Sequence, residues 1–257
     1  MWTFYGCKNL RRVEFSEGLE KIGLGAFYRS GVERIDLPSS TRWIAAEAFL
    51  GCERLRNIRL NEGLETLGEP KYDGAYTCYG RTFEYSALES VVIPSTLEVL
   101  EELTFDECKN LTSVVFAEGS RLKDIRDSCF ACTALKLFEA PPSLRKICSG
   151  AFYFCESLQR VVLNEGLEVV GIDSTEYNYG IGAFEKSGIK EIVLPGTLVK
   201  LDGSTFVKCD CLERVWVEQH CQIRVASCVR SKVDVQIFQA GDGNPLDNIL
   251  NSAEKDE

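Results

Sequence analysis

The 257-residue chain is expected to fold as a repeat solenoid, a coil in which short parallel strands stack unit upon unit, and three observations support this. Phe4, Phe27, Phe49, Phe83, Phe105, Phe130, Phe152, Phe184 and Phe206 each open a unit of one form: F-x-x-[CST], an L/V/I-x-x-V/I-x-apolar run, a turn, then L-x-x-I/L. These phenylalanines follow one another at 22 to 25 residues, apart from two steps of 34 and 32. Within the first apolar run the pattern alternates, as in "LRRVEF", where Val13 and Phe15 alternate with Arg12 and Glu14. Period two sends side chains to opposite faces of a strand. A unit this short cannot bury its apolar face alone, so its neighbours must stack on it to make a core.

Each element of the unit has a physical reason. Nine of the fourteen phenylalanines share one register. Burying each fully contributes roughly 1.5 to 3 kcal/mol, so a column of rings is expected as the main core element opposite the sheet. Three residues after each phenylalanine stand Cys7, Ser30, Cys52, Ser86, Cys108, Thr133, Cys155, Ser187 and Cys209. All are small and carry a hydrogen-bonding group, as suits an inward ladder that satisfies backbone groups at a turn. The strand comes next, and after it the turn takes one of two forms. One type of unit turns at Glu-Gly, as in "FYGCKNLRRVEFSEGLEKI", and the other at a Pro-Ser/Thr type of turn after Pro38, Pro94, Pro141 or Pro195. Proline at the end of a ladder removes an N–H where its loss costs least. Units of the proline type are all 22 residues, whereas the Glu-Gly units are 23 plus surpluses of 0, 11, 2 and 9. The surplus of two widens a turn around Gly119, and the larger two are insertions.

The stretches "GAFYRSGVERIDLPSS", "EAFLGCERLRNIRL" and "GAFYFCESLQRVVLNEGLEVVG" resemble the repeat of the BspA-like leucine-rich repeat family, and the resemblance runs over roughly residues 2 to 217. The fold expected is a leucine-rich-repeat, right-handed coil with a curved parallel β-sheet, one strand per unit, mostly strand and loop with little helix. Residues 1–238 should form a single solenoid of about nine units plus a terminal strand in "SKVDVQIFQ", and residues 239–257 an acidic, disordered tail. The first unit begins three residues before its phenylalanine with no polar cap, so a larger assembly or parent chain is expected to cover it. For some relatives the resemblance implies a cell-surface adhesin.

Composition narrows the function. With 39 acidic against 29 basic residues and a net charge of −10, a phosphate-backbone binder is disfavoured. No apolar run approaches a membrane span. "MWTFYGCKNLRR" lacks the features of a secretory signal, which favours an intracellular location, with the cell surface as the alternative if the N-terminus is truncated. The five ladder cysteines occupy alternate units, about 9.6 Å apart and beyond the roughly 7 Å Cα limit for a disulfide, so they should be reduced and buried. Cys129 and Cys132 form a CxxC, but the ladder residue Phe130 between them turns them to different parts of the coil. Cys209, Cys211, Cys221 and Cys228, with the sole histidine His220, leave a metal or a disulfide cap open, although their spacing matches no zinc module. No nucleophile motif accompanies His220, "GDGN" lacks a P-loop lysine, and acidic pairs such as Glu101 and Glu102 or Asp124 and Asp127 read as solvated faces. No catalytic residue, cofactor or metal is expected.

A non-catalytic protein–protein interaction module or scaffold therefore leads, with a cell-surface adhesin as the alternative. Two surfaces are candidates for the partner. The outward strand column Glu14, Asp36, Arg59, Val92, Val115, Glu139, Val162, Val193 and Trp216 turns apolar along the coil, while the column two residues before it reads Arg12, Arg34, Asn57, Ser90, Ser113, Leu137, Arg160, Glu191 and Arg214; Val162, Val193 and Trp216, with Arg214 flanking Trp216, are the proposed partner residues. β-Propensity alone would also put valines there. The insertions supply Tyr72, Asp73, Tyr76 and Tyr79 in "GEPKYDGAYTCYGRT", and Asp173, Glu176, Tyr177 and Tyr179 in "GIDSTEYNYGIGA". Both leave the same point of the unit and so should emerge on one edge, about 20 Å apart. Their composition fits adaptable recognition loops and equally fits self-packed Ω-loops.

Overall fold

The computed structural model describes residues 1–69, 71–72, 77–78, 80–171, 180–221 and 232–239, together with residues 223, 225, 229 and 245. Its strands in chain order are β1 (Lys21–Ile22), β2 (Arg34–Asp36), β3 (Trp43–Ala45), β4 (Asn57–Arg59), β5 (Thr66–Glu69), β6 (Lys71–Tyr72) and β7 (Thr77–Cys78). There follow β8 (Ser90–Ile93), β9 (Val99–Leu100), β10 (Ser113–Phe116), β11 (Asp124–Ile125), β12 (Leu137–Glu139) and β13 (Lys146–Ile147). The chain continues through β14 (Arg160–Val162), β15 (Val169–Val170), β16 (Glu191–Leu194), β17 (Lys200–Leu201), β18 (Arg214–Glu218) and β19 (Asp234–Phe238).

The architecture is a parallel β-solenoid with almost no helix. Each coil carries two strands where the sequence reading gives one. The L-x-x-V-x-apolar runs form a first face, in the orders β2-β4, β8-β10 and β12-β14-β16-β18-β19. The L-x-x-I runs form a second face of shorter strands, in the orders β1-β3-β5 and β9-β11-β13-β15-β17. Sequence inspection passes over the second set because two residues are too few to show an alternation. Registers are those of a repeat: Val161 faces Ile192, Ile192 faces Val215, and all three are buried.

The third side of the coil is the phenylalanine side, and it is also hydrogen-bonded from coil to coil. The Phe105 N–H donates to the Cys129 carbonyl at 2.8 Å, and the Phe130 N–H to the Ala151 carbonyl at 2.8 Å. Two residues further on, Tyr85, Glu107 and Cys132 donate to Asp106, Ala131 and Tyr153 at 3.1, 3.0 and 2.8 Å. Among the described residues, all twelve non-glycine residues with positive φ stand two places before or two places after a ladder phenylalanine, at 46° to 60°. A left-handed L-residue costs about 1 to 2 kcal/mol. Here it turns the amide toward the next coil, so that a side with no room for a strand still satisfies its backbone.

Inside this side the nine rings form one unbroken stack from Phe4 to Phe206, with centroids 5.0 to 6.0 Å apart and planes within 19° of parallel. Eight of them are buried, while Phe4, first in the stack, is 36% exposed. The hydroxyl and thiol ladder beside the rings is made of pairs across a coil boundary. Ser86 Oγ lies 3.2 Å from Cys108 Sγ, which donates to the Phe83 carbonyl at 3.1 Å. Ser30 with Cys52, Thr133 with Cys155 and Ser187 with Cys209 repeat the arrangement. Burial pushes the thiols of Cys52 and Cys155 up to about 11 and that of Cys108 to about 12, which keeps them protonated. Cys7 departs from the expected burial: it is exposed.

The first insertion begins as an antiparallel hairpin in which Lys71 faces Cys78 and Tyr72 faces Thr77. Asp73, Tyr76 and Tyr79 lie outside the described residues, as do Asp173, Glu176, Tyr177 and Tyr179 of the second insertion. Cys228 and, apart from Gln239 and Pro245, the expected tail likewise lie outside them.

Removing a ring from the middle of the stack should be far more damaging than removing one at its end. Phe105→Ala is expected to lower unfolding free energy by about 3 to 5 kcal/mol, and Phe4→Ala by less than about 2 kcal/mol, measured by denaturant unfolding.

Candidate functional site

Two outward columns run along the first face, and together they divide it into three zones. In the first coils the positions are charged and mutually paired: Arg12 meets Glu14 at 3.1 Å, and Arg34 meets Asp36 at 2.9 Å. The Arg34 guanidinium, with Arg59 and Arg12 beyond it, holds the Asp36 carboxyl below its ordinary range. At the far end Arg214 lies 3.0 Å from Glu191 and 3.6 Å from Asp234, with its guanidinium carbon 5.4 Å from the centre of the Trp216 ring. Trp216 stands opposite Val193 in the strand register, and Val193 is only 5% exposed. The structure therefore places Val193 in packing against its neighbours, and Val162 and Trp216 are half-buried.

Between these zones the face is open and mostly aliphatic, with Glu139 of β12 as its charged outward residue. Ser90 and Val92 in β8 stand opposite Ser113 and Val115 in β10, with Leu137 on the next coil. Val92, Val115 and Leu137 are 55%, 53% and 38% exposed, a run of aliphatic surface along three successive coils. Arg56, paired with Glu89 at 3.0 Å, and Arg59 border it on one side, and half-buried Arg160 on the other. An apolar centre within a charged rim is the anatomy of a protein interface. The sequence contained the signal, because Ser90, Ser113 and Leu137 interrupt an otherwise mostly charged column. Column identity does not measure exposure, which is why Val193 and Val92 looked alike.

A second cluster lies on the phenylalanine side. Glu84 and Asp106 follow ladder phenylalanines on adjacent coils, with Glu47, Glu107, Arg81 and Lys109 about them. Glu84 is buried and its Oε2 is 3.2 Å from Arg81 Nη1. Burial pushes its carboxyl up to about 7; Arg81 opposes this, while Glu47 and Glu107 add to it. Burial, with Glu84 and Glu107 close by, pushes Asp106 up to about 7 as well. Cys132 beside them is raised to about 12 by burial and by Glu107 and Asp106, so the CxxC thiol is not poised as a nucleophile. His220 sits at the other end of the coil with its Nδ1 2.9 Å from Glu218 Oε1, while Cys211 is exposed and Cys221 half-buried. Among the described residues no group of three or more His, Cys, Asp or Glu side chains is placed to hold a metal, and no helix is long and apolar enough to cross a membrane.

Coil and face together define a leucine-rich-repeat protein that presents an extended strand surface. The chain belongs to the BspA type leucine-rich repeat family, which matches residues 1–74, 77–213 and 173–239 in six copies. No curated protein matches it. Among solved structures it is similar to a leucine-rich repeat protein from Bacteroides ovatus, at 19% identity over 92% of this chain and 74% of that one, with a TM-score of 0.47. A leucine rich cell surface protein from Faecalibacterium prausnitzii aligns at 17% identity over 93% and 75%, TM-score 0.44. The pneumococcal vaccine antigen PcpA aligns at 15% identity over 91% and 82%, TM-score 0.44.

The carboxyl cluster makes stability depend on pH. Glu84 and Asp106 have folded-state values above those of an unfolded carboxyl, so their contribution is full in acid and is lost as pH rises through about 7. Melting temperature should fall between pH 5 and pH 8.5, and Glu84→Gln with Asp106→Asn should flatten that fall. An equally steep fall in the double variant would assign it to other groups.

Proposed function

We propose that the chain is a non-catalytic protein-interaction module whose partner docks on the first face, centred on Val92, Val115 and Leu137 and bordered toward the C-terminus by Val162, Arg214 and Trp216. The observation that carries this reading is the uncharged, exposed run of Val92 and Val115, set between end zones where Arg12, Glu14, Arg34, Asp36, Glu191, Arg214 and Asp234 are paired with one another on the same coil or the next. Placing aliphatic side chains in water brings the fold nothing, and removing about 25 cal/mol per Å² of such surface from water on docking is favourable. The non-catalytic part of the reading is supported by the protonated thiols of the ladder and by the engagement of His220 with Glu218. Both tyrosine-rich insertions leave the coil at the corner between the second face and the phenylalanine side, the one corner the first face does not share. Tyr72, Asp73, Tyr76 and Tyr79, with Asp173, Glu176, Tyr177 and Tyr179, would therefore serve a separate contact.

A photo-crosslinking residue placed at Val92 or Val115 should give discrete protein adducts in the native host, while the same residue at Lys123 or Lys146 on the second face should not. Adducts confined to the second-face positions, or equal at all four, would overturn the assignment.

A further inference from the structure

We infer that the first face takes an extended segment of its partner in which an aliphatic side chain is flanked by lysine or arginine, and that this segment lies in the groove beside Val115. The inference rests on the docking face proposed above and specifies what that face selects. Three observations meet at this point of the coil.

The strand ladder is broken here. β10 pairs with β8, and β12 pairs with β14, but β10 and β12 are not hydrogen-bonded to each other. Phe138 occupies an inward position where neighbouring strands place Val91, Val161 or Ile192, and its ring meets Phe116 edge-on at 6.0 Å and 89°. The two rings occupy more room than aliphatic side chains do, so the two coils do not close on each other at this point as a regular pair of strands.

The turns at this level are also unclasped. At the first two repetitions the Glu-Gly turn grips the following proline turn: Glu17 accepts from the Ser39 N–H and hydroxyl at 3.2 and 3.0 Å, and Glu62 from those of Ser95 at 3.0 and 2.8 Å, while at the last the Gly166 N–H donates to the Thr197 hydroxyl at 2.8 Å. At the third repetition the two-residue surplus widens the first turn, and Pro142 replaces the serine, so Glu118 has neither an N–H nor a hydroxyl to hold. A groove of about 520 Å³ opens between the turns, lined chiefly by Val115, Ala117, Ala140, Pro141 and Pro142.

Charge then selects the occupant. In the two outward columns of the first face Glu14, Asp36, Glu191 and Asp234 each have an arginine within 3.6 Å. Glu139, exposed at the groove, has no ion-pair partner among the described residues, and neither has Glu118 on its opposite wall. Of the cations on these coils, Arg121 donates to the Thr96 carbonyl at 3.1 Å, Lys123 pairs with Glu98 at 2.8 Å, Arg145 donates to the Pro142 carbonyl at 3.2 Å, and Lys136 is exposed. An aliphatic side chain would fill the floor, and a basic residue on either side would meet Glu118 and Glu139. Acidic neighbours would be repelled, which gives selectivity as well as attraction.

Synthetic nonapeptides with a Val-Leu-Val centre flanked by lysine, serine or glutamate, labelled with fluorescein, test this by anisotropy against the whole chain. The lysine peptide should bind about fivefold tighter than the serine peptide, as expected for two rim charge pairs, and the glutamate peptide should be weakest. Glu118→Lys combined with Glu139→Lys should invert the order, and Val115→Asp should remove binding of all three. Circular dichroism would check that both variants keep the fold. Equal binding of the three peptides, no binding of any, or an order unchanged in the double variant overturns the inference. If binding is charge-blind yet lost in Val115→Asp, the docking face stands without this specificity. If Val115→Asp leaves the binding intact, the docking face and the groove assignment both fall.

Discussion

Everything in this molecule depends on the coil-to-coil hydrogen bonds of the phenylalanine side. Two of the three sides of each coil are strands, and parallel pairing satisfies them in the ordinary way. The third side must reverse the chain within a few residues, and a reversal usually leaves amides without partners. Here residues of opposite backbone hand alternate, so every second N–H points at a carbonyl of the next coil, as in the Cys132 to Tyr153 bond of 2.8 Å. The ring stack follows from that ladder: a fixed rise between coils, close to the separation of packed rings, sets neighbouring phenylalanines 5.0 to 6.0 Å apart. Rings and backbone therefore share one spacing, and neither could change it alone.

The alternation of two unit types has a cause of the same kind. A hydroxyl on one coil and a thiol on the next form a pair, and the thiol then donates to the phenylalanine carbonyl of the coil before it. Outside, a glutamate at one turn holds the serine of the following turn. Both couplings act between one Glu-Gly coil and one proline coil, so the structural repeat is effectively two units long. Where a coupling is interrupted, as at Glu118 and Pro142, the surface opens instead of closing. A partner can single out one coil only at such an interruption, because a regular repeat offers nothing that distinguishes one coil from the next.

Charge is distributed in the same spirit. The outward arginines of the first and last coils are mostly occupied by acids of their own or adjacent coils, which leaves the middle of the first face to the aliphatic Val92, Val115 and Leu137 and to Glu139. The phenylalanine side instead gathers Glu84, Asp106 and Glu107 close together with few cations among them. That arrangement is tolerated because a carboxyl can take up a proton when burial and like charges make its anion unfavourable.

The sequence by itself determined the solenoid, its phenylalanine column, the inward face of the first strands, the hydroxyl and thiol positions and the two insertion points. Each of these is a matter of spacing, and spacing survives translation into letters. Tertiary structure alone decided the second strand face, the left-handed residues at positions as unlike as Glu107, Cys132 and Phe154, and the exposure that separates Val92 from Val193. The reason is physical. A left-handed φ at a non-glycine residue is chosen by the acceptor waiting on the next coil and not by the residue itself. The burial of an outward valine is likewise set by the side chain that stands across from it, a serine-flanked valine opposite Val92 and a tryptophan opposite Val193.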